Sequence, residues 1–130
     1  GVLEAIKEAE RVVICPSNPV LSISPILSIP MIRKELKKTR AYIVGVSPIV
    51  GGKAIKGPAD RIMTSMGLEA SAYGVAKFYG DFLDHLVIDK ADESQKERIE
   101  ELGMKVTVTD TIMKSLEDSI RLARVVTEAK

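Results

Sequence analysis

Residues able to handle a phosphate or a small polar molecule gather in two stretches of this chain. The first is Ser47-Pro48-Ile49-Val50-Gly51-Gly52-Lys53, continuing through Lys56 to Gly57-Pro58. Glycines let backbone N–H groups approach a ligand, and a helix start favours an anion. Lys53 and Lys56 would add positive charge there. The second stretch is Pro16-Ser17-Asn18-Pro19, whose hydroxyl and amide could orient a base or a sugar. Each also has a plainer reading: a flexible connection with solvated lysines for the first, and an Asx turn between two prolines for the second. The first stretch is not a Walker A loop. That motif's first glycine falls at Ser47, and Ala54 stands where Ser or Thr would bind magnesium. Nor does it match G-x-G-x-x-G.

Other reactive residue types carry less chemistry. Ser22, Ser24 and Ser28 suit either a hydroxyl-rich binding loop or an ordinary turn. Asp89 and Asp110 close apolar runs, where a carboxylate either caps a helix or holds a metal-bound water. His85 has Asp81 and Asp84 nearby but no serine or cysteine nucleophile placed by spacing, so it reads as a surface or capping histidine. Cys15 lies in an apolar run with no charged neighbour and reads as core, as do Met63 and Met66.

Elements must exist to position these residues, and the periodicity supplies them. Val2 to Glu10 has a helical face of Val2, Leu3, Ile6 and Ala9, and Arg11 to Cys15 is a compact apolar strand stopped by Pro16. Ser17 to Ile29 reads as loop, with a short turn opened by Pro25. Pro30 starts a helix that turns Ile32 and Leu36 inward. Arg40 to Val46 is the second strand, followed by the Ser47 to Gly57 loop and a helix from Pro58 that turns Ile62, Met63 and Met66 inward. Ser71 caps the helix carrying Ala72, Val75, Ala76 and Tyr79, and Leu86 to Asp89 is the third strand. Asp92 and Gln95 suggest a capping box for the next helix. Lys105 to Val108 is the fourth strand. Ser115 opens a last helix with Leu116, Ile120, Ala123 and Val126 spaced for packing. Short apolar strands alternating with helices predict a three-layer α/β fold, Rossmann-like, its mostly parallel sheet covered by helices on both faces. Ligands of such sheets sit beyond the carboxyl ends of the strands. Both candidate stretches leave strand ends, as do Asp89 to Asp92 and Thr109-Asp110-Thr111.

Composition narrows the classes. The 130 residues predict one α/β unit, 1–130, and 45% apolar with 28% charged residues is globular usage. Nineteen Lys and Arg against eighteen Asp and Glu leave a net charge of +1, which gives no polyelectrolyte footprint for nucleic acid. One cysteine and one histidine exclude an internal disulfide framework and an ordinary zinc site. No apolar stretch is long enough to span a bilayer, and a cytoplasmic protein is expected. The chain begins Gly1-Val2-Leu3, without Met and already inside a helical pattern, so its start looks cut.

Three stretches in order carry a resemblance. They are Pro16-Ser17-Asn18-Pro19-Val20 with Ser22-Ile23-Ser24-Pro25-Ile26-Leu27, Val46 to Gly52 running on to Gly57-Pro58-Ala59, and Tyr79-Gly80-Asp81-Phe82-Leu83-Asp84. With Thr109-Asp110-Thr111 they resemble the C-terminal portion of the 2-phospho-L-lactate transferase family. Ser24 and Met31 depart from the pattern, standing where glycine is expected. The resemblance implies a magnesium-dependent enzyme of coenzyme F(420) biosynthesis that takes lactyl-2-diphospho-5'-guanosine, or an enolpyruvyl relative, and the deazaflavin Fo. A ribityl hydroxyl of Fo would attack the phosphorus bearing the lactyl group, and GMP would leave. The implied substrate contacts are Ser17, Asn18, Ser47, Gly51, Gly52, Lys53 and Gly57, with the Ser47 to Gly57 loop as a diphosphate cradle. Catalytic residues and magnesium ligands stay unassigned, because the family's glycine-rich phosphate loop and its acidic residues belong to the other half. The expected partners are the two substrates, with an archaeal origin, self-association of the complete protein and no turnover by this chain alone. Two alternatives stand beside this reading. One is a regulatory nucleotide-sugar-binding domain of the related gluconeogenesis-factor type, and the other is a non-catalytic packing unit with an exposed apolar patch.

Overall fold

The apolar runs expected as strands do pair, and the helices between them fall where capping residues allow. In the computed structural model, which describes residues 1–130, the chain runs α1 (Val2–Glu8), β1 (Arg11–Ile14), a π-helical turn (Pro19–Ile23), α2 (Ser24–Leu27) and α3 (Ile32–Lys38). It continues with β2 (Tyr42–Val46), β3 (Ile49–Val50), β4 (Lys53–Ala54), α4 (Ala59–Ser65) and α5 (Ala72–Phe78). The last elements are β5 (His85–Asp89), a 3-10 turn (Lys90–Gln95), α6 (Lys96–Glu100), β6 (Lys105–Thr109) and α7 (Leu116–Glu128). Strands β1, β2, β5 and β6 form one parallel sheet in that order, with Val13 beside Val44, Val46 beside Val87 and Ile88 beside Val108. No helix is long and apolar enough to cross a membrane.

Strand order follows chain order, so every crossover steps the same way. Right-handed crossovers then place α3, α4, α5 and α6 on one face. A core of 18 buried residues fills that side, where Ile43, Leu86, Ile88 and Val106 of the sheet meet Leu36, Met63, Val75 and Ile99 of the helices. The opposite face carries α7 by itself, and its core has 6 buried residues: Val44, Val46 and Val87 against Leu122, Val126 and Ala129. The three-layer α/β expectation therefore holds, with unequal outer layers.

Side chains set the element boundaries. The Ser71 hydroxyl accepts from the Gly74 N–H to cap α5, and the Ser115 hydroxyl accepts from the Asp118 N–H to cap α7. Asn18 caps the π-helical turn, its Oδ1 accepting from the Val20 and Leu21 N–H groups at 3.0 and 3.1 Å. The stretch after Pro16, expected as loop, is thereby largely helical from Pro19 to Leu27.

Several local expectations are corrected. Cys15 is exposed just past the end of β1, because Pro16 turns the chain out of the sheet there. His85 is buried as the first residue of β5. The last helix packs through Leu122 and the expected Val126, with Ala129 just past its end, which leaves Leu116 77% exposed and Ile120 and Ala123 in water as well. Met66 also faces solvent, at the C-terminal end of α4. The Asp92–Gln95 capping box does not form. Asp89 caps the 3-10 turn by accepting from the Ala91 N–H, which frees Asp92 for another partner.

The Ser47 to Gly57 stretch is not an open loop either. Ile49–Val50 and Lys53–Ala54 pair antiparallel as a hairpin, turned by Gly51 and Gly52 at φ +60° and +83°. Two consecutive residues with positive φ are the requirement of the tightest hairpin turn, which explains the Gly-Gly pair without a ligand.

Candidate functional site

Beyond the carboxyl ends of the strands lies a cleft of about 480 Å³. Three connections build it. Ser17 and Asn18, with Leu21 behind them, come from the segment after β1. Lys56 and Gly57 come from the link between the hairpin and α4, and Thr111 and Met113 from the link between β6 and α7. The strand-end rule is met: segments distant in sequence converge because parallel strands put all their exits on one edge.

The walls divide by chemistry. Leu21 is 58% exposed, Ile55 46% and Met113 47%, which gives the cleft an apolar rim. Hydroxyl, amide and ammonium groups come from Ser17, Asn18 and Lys56, while Thr111 borders the cleft as a buried residue whose hydroxyl is given to Asp89. Lys56 is the one charged residue lining the cleft, and no carboxylate borders it. An apolar rim with few polar groups and a single cation suits a flat, partly apolar ligand that carries negative charge.

The carboxylates lie under this surface and serve the walls. Asp89, at the end of β5, is buried. Its Oδ1 accepts from the Thr111 N–H at 2.9 Å and from the Thr111 hydroxyl at 3.0 Å, while its Oδ2 accepts from the Ala91 N–H at 3.0 Å. Burial by itself would raise this carboxyl, but those donors outweigh it and hold Asp89 below the usual carboxylate range. Asp92, also buried, accepts from the Gly51 N–H at 3.1 Å and from the Gln95 amide at 3.3 Å. Burial pushes its carboxyl above the ordinary range; the Gly51 bond opposes that rise and nearby Asp89 adds to it. Gln95 in turn accepts from the Tyr73 N–H at 2.9 Å, tying the turn after β5 to the start of α5.

Ser17, Asn18 and Gly57 thus line the cleft as the sequence suggested, and Lys56 joins them. Ser47, Gly51, Gly52 and Lys53 do not. Ser47 is fully buried, its hydroxyl both donating to the Ile49 carbonyl at 3.1 Å and accepting from the Ile49 N–H at 3.2 Å. The Gly51 N–H is given to the Asp92 carboxylate, the opposite of an anion cradle. Gly52 borders a separate shallow depression with Asp60 and Arg61, and Lys53 projects from the hairpin into solvent. Leu21, Ile55 and Met113 had no polar signature to mark them. Thr111 carried a signal in its place after a strand end.

Asp89 and Asp92 already serve protein donors, and no three His, Cys, Asp or Glu residues come together in a way that could hold a metal ion.

The model of the family described as 2-phospho-L-lactate transferase CofD matches residues 1–126. The chain belongs to that family. It is 44% identical over 128 residues to the 2-phospho-L-lactate transferase of Methanosarcina mazei, covering 98% of this chain and 42% of that protein. It is 48% identical over 126 residues to the one from Methanocaldococcus jannaschii, covering 97% and 39%. The chain thus spans about two-fifths of the length of these relatives. Among solved structures, protein BH3568 from Bacillus halodurans shares the fold, with a TM-score of 0.63 at 18% identity over 97% of this chain and 45% of that one.

Proposed function

We propose that this chain is part of a 2-phospho-L-lactate transferase of coenzyme F(420) biosynthesis, and that its cleft receives the guanosine diphosphate portion of lactyl-2-diphospho-5'-guanosine. The observation that carries this reading is a cleft at the strand ends with an apolar rim, Lys56 and no carboxylate. The rim suits a purine face, while Lys56 and the Asn18 amide suit phosphate oxygens. In the overall transfer, a ribityl hydroxyl of Fo bonds to the phosphorus bearing the lactyl group and gives up its proton. The bond from that phosphorus to the bridging oxygen breaks, and GMP departs. Chemistry of this kind rests on positioning and charge neutralisation, and the part assigned to this chain is positioning. The magnesium expected for such a transfer would draw its carboxylates from elsewhere in the enzyme. A cytoplasmic setting goes with these soluble substrates.

Titration of the isotopically labelled chain with GDP, followed by amide chemical shifts, tests the reading. Shifts are expected at Ser17 to Leu21, Ile55 to Ala59 and Thr111 to Met113, with weaker changes for a uridine nucleotide-sugar. Tighter binding of the uridine compound would favour the regulatory gluconeogenesis-factor type, and shifts confined to other surfaces would overturn the site.

A further inference from the structure

The cleft's walls are loops, yet they are not left to find their own positions. The turn after β5 reaches both. Asp89, its first cap, grips Thr111 through the backbone N–H and the hydroxyl together, at 2.9 and 3.0 Å. Three residues on, Asp92 grips the apex of the β3–β4 hairpin through the Gly51 N–H. Lys53–Ala54 of that hairpin leads directly into Ile55, Lys56 and Gly57, the facing wall. Both carboxylates are buried, and neither borders the cleft. Their protein-facing acceptors are matched to donors on the two walls, so each holds a loop in one place.

We infer that Asp89 and Asp92 are positioning residues that set the separation of the cleft's walls, Asp89 through Thr111 and Asp92 through the hairpin. The inference rests on the proposed reading of the cleft as a guanosine diphosphate site. A ligand seated between Lys56 and Thr111 needs both walls at a defined spacing, and a loop free to wander loses affinity to the cost of ordering it. A buried carboxylate is suited to this work because it accepts two or three bonds at once and those bonds are charge-assisted. Asparagine at position 89 can keep both Thr111 bonds on its one oxygen and lose only the Ala91 bond, whereas alanine at 89 or 92 removes the carboxylate's grip outright.

Amide-shift titrations with GDP, run well below each variant's melting temperature, test this. Asp89→Ala is expected to raise Kd about tenfold and Thr111→Val, which loses only the hydroxyl bond, by less, with the double variant no weaker than Asp89→Ala, because Thr111 then has no Asp89 bond left to lose. Thr111→Ser, which keeps the hydroxyl bond to Asp89, should bind more tightly than Thr111→Val. Asp92→Ala should weaken binding through the opposite wall, so its effect should multiply with that of Asp89→Ala. Amide exchange should quicken at Thr111 in Asp89→Ala and at Gly51 in Asp92→Ala, while Leu86 to Ile88 stay protected. A merely structural role would lower melting temperatures and leave Kd unchanged in the folded variants, which would overturn the inference. So would effects of Asp89→Ala and Thr111→Val that multiply. Failure of the parent chain to bind GDP would instead overturn the reading of the cleft itself.

Discussion

Gly74→Ala tests how tightly the start of α5 is built against the residues before it. A Cβ at Gly74 would lie 1.8 Å from the Glu69 carbonyl oxygen and 2.8 Å from its carbon, and both are backbone atoms. Relief needs a relative shift of about 1.2 Å, since such contacts do not occur below 3.0 Å. That shift is resisted on several sides. Ser71 caps the Gly74 N–H at 3.0 Å and also bonds the Glu69 carboxylate. Arg98 holds the same carboxylate with two bonds, at 3.0 and 3.1 Å, and lies 3.6 Å from the centre of the Tyr73 ring. Overpacking of this kind costs about 1–3 kcal/mol. Losing the cap adds about 1 kcal/mol, so a total near 3 kcal/mol is expected. With an unfolding entropy of about 2.1 cal/mol/K per residue, that lowers Tm by about 10 °C. Urea unfolding with a constant m-value gives the free energy directly. Gly45→Ala is the control: its new Cβ would meet the Leu83 Cδ1 methyl at 3.1 Å, a side-chain atom that can give way, for a cost of about 1 kcal/mol or less. If Gly74→Ala unfolds within about 0.5 kcal/mol of the parent, the close approach argued here does not govern the start of α5.

Two further predictions concern buried polar groups. The Tyr79 hydroxyl is buried with no hydrogen-bond partner, and burial pushes the phenol well above its ordinary range. Tyr79→Phe should therefore stabilise the chain by about 1 kcal/mol, a rise of roughly 4 °C in Tm; a loss of stability on chemical denaturation would mean that the hydroxyl has a partner after all. His85 sits with Nδ1 3.0 Å from the Tyr42 hydroxyl and Nε2 2.7 Å from the Thr107 hydroxyl. Burial, then Lys105 and Arg11, lower its pKa from 6.5, so the folded state favours the neutral ring. Its contribution is present above the unfolded value near 6.5 and is lost as pH falls through the lower folded value. Stability followed from pH 7.5 to 5.5 should decline in the parent and decline less in His85→Gln; equal slopes would refute the assignment.

Much of the fold was legible because it depends on local pattern. Apolar β-branched runs such as Tyr42–Val46 cannot be left in water, and Ser71 and Ser115 mark helix starts by a bond that reaches only three residues. The strand-end rule located Ser17, Asn18 and Thr111 on one edge before any strand order was known. The glycine-rich stretch is ambiguous in sequence because a hairpin turn and a phosphate loop ask for the same residues. What separates them is the partner of the Gly51 N–H, the Asp92 carboxylate 41 positions away. His85 and Cys15 exchanged places for a similar reason: exposure depends on neighbouring strands, and residue type is a weak guide to it at strand ends.

The sequence by itself determined the α/β class, the parallel strands, the family and the edge on which the cleft opens. These follow from periodicity, capping and motif order, all carried by residues near one another along the chain. Tertiary structure decided which polar residues reach that edge. It also buried Asp89 and Asp92 beneath the walls, left Lys56 as the cleft's cation, and put α7 by itself on the second face of the sheet. Those outcomes turn on contacts between segments tens of residues apart, where a single hydrogen bond or the phase of one helix selects among arrangements that local pattern leaves equal.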